Sequence, residues 1–505
     1  MERNKVSPTV KGSLLSKRIS FLLNGEEKQL TIAPGMTLLE LIHQKLKLFG
    51  TKSTCNEGDC GSCTVLISSL RDGQMIYEAV NSCIYPAVRI HKKHLITIEG
   101  IGTPDNLHPI QKALLDFHGS QCGYCTPGFV MALLALFLRK EHPQKADILR
   151  ALEGNLCRCT GYDAILQAAL FLSENLAEDV SLLPDRLQNY EKLANLPELP
   201  EDIYEENSEY YHTVGYLQPH SLDELMEALE RFDDVREYSL LNGGTDIFVQ
   251  SNINNISPPW LIDITVIPEL KVIDRVEEWV RIGATATLSE TEESPLITQN
   301  FPLLLKTISL IASRQIRNLA TITGNIGNAS PVADTPPVLM VLDAELELLS
   351  TGGRRRIKLS EYYLDYKKTV LKRGEFITAV LIPLPEESYR FQDMMKAAKR
   401  RAVDISTVNS AISIGMENGR LKNVRLAFGG VAPYPALARE AMTFMEGKQP
   451  DSSWFEEAAM IAATEFKPIS DIRGREEYRQ TLIRNHTLRF LDEFKNNLDL
   501  AGKGL

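Results

Sequence analysis

The amino-acid sequence predicts a multidomain α+β protein, and three observations support this prediction. All eight cysteines lie between Cys55 and Cys159 in a chain of 505 residues. An acidic, proline-bearing stretch over 177–212 separates this cysteine-rich part from the remainder. The cysteine-free remainder alternates strand-like and helix-like patterns. The length and the ordinary globular composition suggest three or four domains.

The composition argues against two classes of partner. The net charge is −11 and no basic stripe is visible, so we expect no nucleic-acid partner. The longest apolar run, Phe129 to Leu138, is far too short to span a bilayer. The first residues lack the apolar core of a signal peptide. We therefore expect a cytoplasmic protein with tails at 1–17 and 498–505.

The first four cysteines have the spacing of a plant-type ferredoxin, with x4 and x2 intervals and one distant member. They are Cys55, Cys60, Cys63 and Cys83. Four thiolates must converge on two irons, and Gly58 and Gly61 permit the tight loop that this requires. The pattern indicates a [2Fe–2S] cluster. The alternative is a structural zinc site, which favours paired C-x2-C motifs instead.

The surroundings of this motif predict a β-grasp ferredoxin domain over 18–99. Residues 18–33 alternate as a hairpin with an Asn24-Gly25 turn. Thr37 and Glu40 have capping-box spacing at the start of a helix. A strand from Thr64 and another from Leu95 complete the unit.

The other four cysteines lie in a helical pattern that predicts a four-helix domain over 100–176. They are Cys122, Cys125, Cys157 and Cys159. We expect helices from Pro109 and over 128–139, 146–152 and 163–172. Antiparallel helix pairs can bring both loops together around a second [2Fe–2S] cluster, with zinc again as the alternative. His108 and His118 have no paired metal spacing, so we do not assign them as ligands.

The acidic stretch over 177–212 is expected to be an extended linker that wraps over a neighbouring surface. Beyond it, Ser221 begins a capped helix, strands are expected at 238 and 260, and an Asn418-Gly419 turn joins a hairpin over 405–429.

Two glycine-bearing loops in this part are candidates for binding a pyrophosphate. One follows the strand at 238 and ends at Asp246, and the other covers 321–328 before Asp334. Glycine lets the backbone N–H groups approach a phosphate, and both aspartates can accept from ribose or adenine. Each loop alone is compatible with an ordinary turn. Together with two iron–sulfur sites they indicate a flavin, since clusters move single electrons and organic substrates exchange hydride.

These motifs resemble the iron–sulfur and flavin portion of the xanthine dehydrogenase/oxidase family of molybdenum hydroxylases, over about 18–495. The resemblance lies in the two cysteine quartets and in the motifs Gln121-Cys-Gly-Tyr-Cys-Thr-Pro-Gly, Gly154-Asn-Leu-Cys-Arg-Cys-Thr-Gly-Tyr, Leu241-Asn-Gly-Gly-Thr-Asp and Thr321-Ile-Thr-Gly-Asn-Ile-Gly-Asn-Ala-Ser-Pro-Val-Ala-Asp. It implies an FAD-binding α+β domain of the vanillyl-alcohol-oxidase type over 213–386. It also implies an α+β domain of the CO dehydrogenase flavoprotein type over 387–497.

The resemblance further implies which residues contact FAD. They are Leu241, Asn242, Gly243, Gly244, Thr245, Asp246, Ile247, Phe248, Ile311, Thr321, Ile322, Thr323, Gly324, Asn325, Asp334, Ile377 and Lys396. Ile377 and Lys396 depend on the family alone, and Lys396 is otherwise readable as an ordinary surface lysine.

The function implied is that of the small subunit of a bacterial xanthine dehydrogenase. Such an enzyme oxidises hypoxanthine to xanthine and then xanthine to urate. Electrons would come from molybdopterin on a large partner subunit, enter the helical-domain cluster, and continue through the ferredoxin-like cluster and FAD to NAD+. We expect a heterotetramer with two of each chain and no hydroxylating residue in this one. Alternatives are the same module serving an aldehyde, N-heterocycle or aromatic acyl-CoA hydroxylase, or a redox carrier without flavin turnover.

Overall fold

A computed structural model of the protein describes residues 15–71, 73–176, 181–188, 190–197, 203–204, 215–385 and 390–501. Most of the predicted tails and parts of the predicted linker lie outside the described residues. The chain divides into two compact units. The first consists of the described residues up to Gln218 together with Arg236–Asp263, and the second consists of Pro219–Val235 and the residues from Ile264 onward.

The first unit begins with a mixed sheet of order β2-β1-β5-β3-β4, in which β6 also pairs with β1. Its strands are β1 (Leu15–Leu23), β2 (Glu26–Ile32), β3 (Thr64–Arg71), β4 (Gln74–Asn81), β5 (His94–Ile96) and β6 (Ile203–Tyr204). Strands β1 and β5 are parallel, as in a β-grasp fold, and the prediction of this fold is confirmed. The short helix α1 (Leu38–Glu40) has the predicted capping box between Thr37 and Glu40. Strand β4 was not predicted.

The helical part of this unit follows the pattern that the sequence predicted. Its helices are α2 (Ile98–Ile101), α3 (Pro109–Asp116), α4 (Thr126–Arg139), α5 (Lys145–Leu152) and α6 (Asp163–Asn175). The apolar α4 is buried on most faces, and its Phe129 and Leu133 share one core with Leu66 of β3. Among the described residues, no helix combines the length and the apolar character needed to cross a membrane.

The described part of the linker is more ordered than the sequence predicted. It contains a 3-10 turn at Asp185–Leu187 and the helix α7 (Tyr190–Ala194). The expectation of a wholly extended linker is therefore wrong in this part. The physical reason is apolar burial, since Leu187, Leu193 and Leu196 are buried.

A small parallel sheet completes the first unit. Its strands are β7 (Gly215–Leu217), β8 (Tyr238–Leu241) and β9 (Trp260–Asp263), in the order β7-β9-β8, and α9 (Ile247–Asn254) follows β8. Helix α8 (Leu222–Glu230), which has the predicted Ser221 cap, belongs to the second unit. Residues expected in one flavin domain therefore contribute to both units.

The second unit contains a five-stranded antiparallel sheet, a four-stranded antiparallel sheet and a small two-stranded pair. Its strands are β10 (Ile273–Val276), β11 (Trp279–Gly283), β12 (Glu345–Ser350), β13 (Gly353–Lys358), β14 (Tyr363–Asp365), β15 (Lys368–Thr369), β16 (Phe376–Pro383), β17 (Arg390–Ala397), β18 (Val408–Glu417), β19 (Arg420–Gly429) and β20 (Ala436–Leu437). Its further helices are α10 (Leu288–Glu293), α11 (Pro295–Asn300), α12 (Pro302–Ser309), α13 (Arg314–Arg317), α14 (Ile322–Gly327), α15 (Thr335–Val341), α16 (Arg439–Met445), α17 (Phe455–Glu465) and α18 (Glu476–Ala501). The predicted hairpin at Asn418-Gly419 is confirmed by β18 and β19.

Candidate functional site

The first cysteine quartet is enclosed by the ferredoxin-like part. Cys60, Cys63 and Cys83 are buried and Cys55 is half-buried. The Cys55 thiol is within hydrogen-bonding reach of Cys60 and Cys83, and these contacts hold the pKa of Cys55 well below its usual range. Contact with Cys83 likewise lowers the pKa of Cys63. The four thiols are thus joined in a chain of contacts that runs from Cys60 to Cys55, Cys83 and Cys63.

The loop around this quartet is fixed by its own backbone and by neighbouring polar side chains. Gly58 and Gly61 have φ values of 79° and 67°, in the left-handed region that favours glycine. Asn81 Nδ2 donates to the Gly58 carbonyl over 2.6 Å, and Thr64 Oγ1 donates to the Gly61 carbonyl over 2.7 Å. The Glu57 N–H lies 3.5 Å from Cys55 Sγ. The Asn81 and Thr64 hydrogen bonds therefore shape the loop independently of the thiols.

The second quartet lies at the ends of helices and is more open. Cys122 and Cys159 are exposed, Cys125 is half-buried and Cys157 is buried. The thiol contacts join Cys125 to Cys157 and Cys122 to Cys159, so the two loops meet as the sequence led us to expect.

Burial and hydrogen bonds act in opposite directions on the thiols of this quartet. Burial, followed by contact with Cys157, raises the pKa of Cys125 to about 12. Burial also acts to raise the pKa of Cys157, but hydrogen bonds outweigh it and lower that pKa, chiefly the one from Thr160 Oγ1 over 3.2 Å. Within the ranges that the structure covers, no group of three or more His, Cys, Asp or Glu side chains is arranged to hold one metal ion. In the second quartet the thiol contacts form two separate pairs.

The two cysteine loops touch each other directly. The Leu156 N–H donates to the Cys60 carbonyl over 2.9 Å, and the buried Asn155 Nδ2 donates to the Gly61 carbonyl over 3.1 Å. A side chain at Gly128 would collide with the same carbonyl. Sequence reasoning missed Asn155, although it lies inside the quoted motif two residues before Cys157. These two hydrogen bonds thus connect the loop of one quartet to the loop of the other.

In the first unit, the predicted flavin residues 241–248 run from the last residue of β8 through a turn into the first two residues of α9. Leu241 and Phe248 are buried, Asp246 is exposed, and Gly244 has a φ of 76°. In α9, Asn252 Nδ2 donates to the carbonyls of Asn56 and Cys83 over 2.9 and 2.8 Å. No sequence signal marked Asn252, because its partners are far away along the chain.

In the second unit, the predicted loop at 321–328 is a short helix. Thr321 Oγ1 accepts from the Gly324 N–H over 2.9 Å and caps α14, so the expectation of an open glycine loop is wrong here. A capping threonine followed by glycines satisfies the first N–H groups within the turn. Thr321, Ile322 and Thr323 are buried, while Gly324 is exposed and Asn325 is half-buried.

The second unit also brings several predicted flavin residues together around Asp334. Lys396 Nζ donates to Asp334 Oδ2 over 2.8 Å and to the Leu310 carbonyl over 2.9 Å, next to Ile311. The Lys396 side chain is only 4% exposed, so its interpretation as an ordinary surface lysine is wrong. Ile377 is buried in β16 and packs in the hydrophobic core.

The residues present fit the cofactors that the motifs imply. Each quartet supplies four thiols, and the first loop has the glycine geometry that a cluster loop needs. The turn at 241–246 presents backbone N–H groups around a left-handed glycine, as anion-binding turns do. Among the described residues, Asp334 and Leu310 use two of the three Lys396 N–H donors, which leaves one for a further acceptor.

Four family models match the chain. They are a 2Fe-2S iron-sulfur cluster binding domain over 21–88, a [2Fe-2S] binding domain over 97–170, an FAD binding domain in molybdopterin dehydrogenase over 211–385 and a CO dehydrogenase flavoprotein C-terminal domain over 393–494. The chain therefore contains two 2Fe–2S domains and an FAD-binding domain. These matches confirm the predicted fold class.

Curated relatives match nearly the whole chain. Xanthine dehydrogenase/oxidase of Gallus gallus is 30% identical over 94% of this chain and 39% of its own length. Xanthine dehydrogenase of Drosophila pseudoobscura pseudoobscura is 31% identical with the same two coverages. The chain thus spans about two fifths of the length of the curated relatives it matches.

Two solved structures resemble the part of the chain that they cover. A Cu,Mo-CO dehydrogenase in its cyanide-inactivated form is 27% identical with a TM-score of 0.53, over 56% of this chain and 97% of that one. Quinoline 2-oxidoreductase from Pseudomonas putida 86 is 26% identical with a TM-score of 0.52 over the same shares.

Proposed function

We propose that this chain carries electrons from xanthine oxidation to NAD+. The premise is that the chain belongs to the xanthine dehydrogenase family of molybdenum hydroxylases and corresponds to the iron–sulfur and flavin region of that family. Hypoxanthine and xanthine would be oxidised at a molybdopterin centre on a partner subunit. The expected assembly is a heterotetramer with two of each chain. When bound, the clusters supply one-electron transfer and FAD supplies the exchange with hydride.

The observation that carries this proposal is the contact between the two quartets. The Leu156 N–H to Cys60 carbonyl bond joins backbone that is one residue from Cys157 to backbone of a ligand in the other quartet. Asn155 reinforces this contact from a buried position. Two clusters held this way form a relay, whereas two independent zinc sites would need no such connection.

The two ends of the proposed relay differ in their exposure and in their contacts. Cys122 and Cys159 are exposed at one end, where we propose that the molybdopterin subunit docks. At the other end, Asn252 connects the Cys83 backbone to the helix that follows the 241–246 turn. We propose that residues 241–248 of the first unit bind FAD, and the FAD contacts expected in the second unit stay a prediction.

The proposal is tested on the full chain by metal, sulfide and flavin analysis. Two irons for each of two clusters give about four irons and about four sulfides per chain, with one FAD. Anaerobic NADH is expected to bleach the flavin and both clusters. Zinc in place of iron, disulfide-linked cysteines or an absence of FAD would each contradict the proposal.

A cysteine variant separates the two clusters. Cys159→Ser is expected to retain about half of the iron, and NADH is still expected to reduce FAD and the remaining cluster. Arg158→Ala, in the same loop, is the control that leaves the thiols unchanged. If Cys159→Ser loses FAD but no iron, the assignment of the second quartet is wrong.

The similar solved structures support a second candidate function beside the first. Because the similar structures are a CO dehydrogenase and a quinoline oxidoreductase, the same module could serve a hydroxylase with another substrate. The subunit that copurifies with this chain decides between them when it is assayed with xanthine, quinoline and carbon monoxide. Activity toward xanthine alone supports the first candidate.

A further inference from the structure

Arg89 is a buried arginine to which the sequence analysis assigned no role. It lies in a 3-10 turn of the ferredoxin-like part, Ala87–Ile90, and is 8% exposed. Its Nε and Nη2 donate to the two carboxylate oxygens of Asp263 over 2.6 and 3.0 Å. The Tyr216 hydroxyl donates to the same carboxylate over 2.7 Å. This paired geometry fixes the guanidinium plane.

The ion pair with Asp263 alone does not account for a buried arginine at position 89. Removing two charges from water costs about as much as their attraction returns, so a buried pair contributes little net stability. Burial acts to lower the pKa of Arg89, but the Asp263 charge outweighs it and raises that pKa, so the guanidinium stays charged. The role of Arg89 therefore depends on the other groups that its guanidinium contacts.

Those other groups are two consecutive backbone carbonyls at the end of β8. Arg89 Nη2 donates to the Leu241 carbonyl over 3.2 Å and to the Asn242 carbonyl over 2.5 Å. In an extended strand, successive carbonyls point in opposite directions, so their convergence on one donor shows that the strand has ended. In a trans peptide the N–H points away from its carbonyl. The N–H groups of Asn242 and Gly243 are thus turned away from Arg89.

The turn that Arg89 holds lies where parallel sheets bind ligands. Leu241 is in register with Asp263 on the neighbouring parallel strand, so both residues lie at carboxyl ends. In open α/β sheets ligands bind beyond these ends. Gly244, with its φ of 76°, continues the turn into α9. Consecutive N–H groups beside such a glycine form a concave anion-binding surface.

We propose that Arg89 is a positioning residue for the phosphate-binding turn at Leu241–Thr245. By holding the two carbonyls, it directs the backbone N–H groups of the turn toward the pyrophosphate of FAD. This inference rests on the proposed function, in which FAD is the ligand. It also means that a residue of the ferredoxin-like part determines how well the flavin turn is formed.

Two variants test the proposal in the full chain. Arg89→Lys keeps the charge, but a lysine ammonium cannot hold two carboxylate oxygens and two carbonyls in one plane. The double variant Arg89→Met/Asp263→Asn removes both charges and leaves none unpaired. Arg479→Lys is the chemically matched control, because buried Arg479 donates to the Thr407 and Gly430 carbonyls and to Asp471. Ile148→Ala, a core truncation in the first unit, controls for general destabilisation.

The first measurement needs no flavin. In deflavinated protein, amide hydrogen exchange over 241–248 is expected to rise at least about tenfold in both Arg89 variants and to stay unchanged in the controls. Unchanged exchange in the Arg89 variants, or an equal rise in either control, overturns the proposal.

The second measurement uses FAD as the probe. Fluorescence titration is expected to give a dissociation constant for FAD at least about tenfold higher in the double variant, with partial recovery in Arg89→Lys. The two ³¹P resonances of bound FAD are expected to shift in Arg89→Lys and not in the controls. Faster exchange with unchanged FAD affinity and unshifted resonances overturns the phosphate role. If the unaltered chain does not bind FAD, the proposed function itself fails.

Discussion

The two cysteine quartets differ in what covers them. In the ferredoxin-like quartet, three of the four cysteines are buried, and polar side chains hold the loop. In the helical quartet, Cys122 and Cys159 are exposed. One site is therefore built into the core of its domain, while the other lies at the ends of helices. Three predictions follow from this contrast in decreasing order of effect.

The largest effect is expected from replacing one cysteine in each quartet. Cys63→Ser is expected to lower the unfolding temperature of the first unit by more than about 10 °C, because metal binding at an enclosed site contributes directly to folding. Cys159→Ser is expected to lower it by less than about 3 °C. Calorimetry together with iron analysis checks both values. Equal losses would remove the distinction between the quartets.

A smaller effect is expected where the two loops touch. Gly128→Ala places a methyl group against the Gly61 carbonyl, so we expect a loss of about 1–3 kcal/mol in unfolding free energy. The magnetic interaction between the reduced clusters, measured by electron paramagnetic resonance, is expected to weaken as the loops separate. Gly352→Ala, in an exposed turn, is the control. An unchanged spectrum in Gly128→Ala would show that the contact does not set the spacing of the quartets.

The smallest effect concerns pH. His94 is a buried residue of strand β5 in the ferredoxin-like sheet, its Nε2 accepts from the Gly25 N–H over 2.9 Å, and burial lowers its pKa to about 4. The unfolded chain binds this proton more readily, so the stabilisation is complete above pH 6.5 and is lost as pH falls toward 4. Between pH 7.5 and 5 the loss is about 2 kcal/mol.

Urea unfolding at the two pH values measures this loss. His94→Asn is expected to reduce the difference between them, while His118→Asn, on the exposed surface of the helical part, is expected to leave it unchanged. An undiminished pH difference in His94→Asn would assign the effect to other groups.

The sequence predicted most accurately those features that depend on local patterns. Cysteine spacing indicated both quartets, and the Thr37–Glu40 cap and the Asn418-Gly419 turn are found as expected, because each depends on residues close together in the chain. The Arg89–Asp263 pair joins residues separated by 174 positions, and neither residue is part of a local motif. Burial of Leu193 was missed for a different reason, since a few leucines in an acidic stretch give no periodic signal.

The packing of Arg236–Asp263 in the first unit determines where the chain can be divided. A fragment ending at 212, the boundary that the sequence suggests, would lack all three strands of the small parallel sheet. It would also leave a buried cation without its carboxylate and two backbone acceptors. A fragment made to study the iron–sulfur domains on their own therefore has to extend through Asp263.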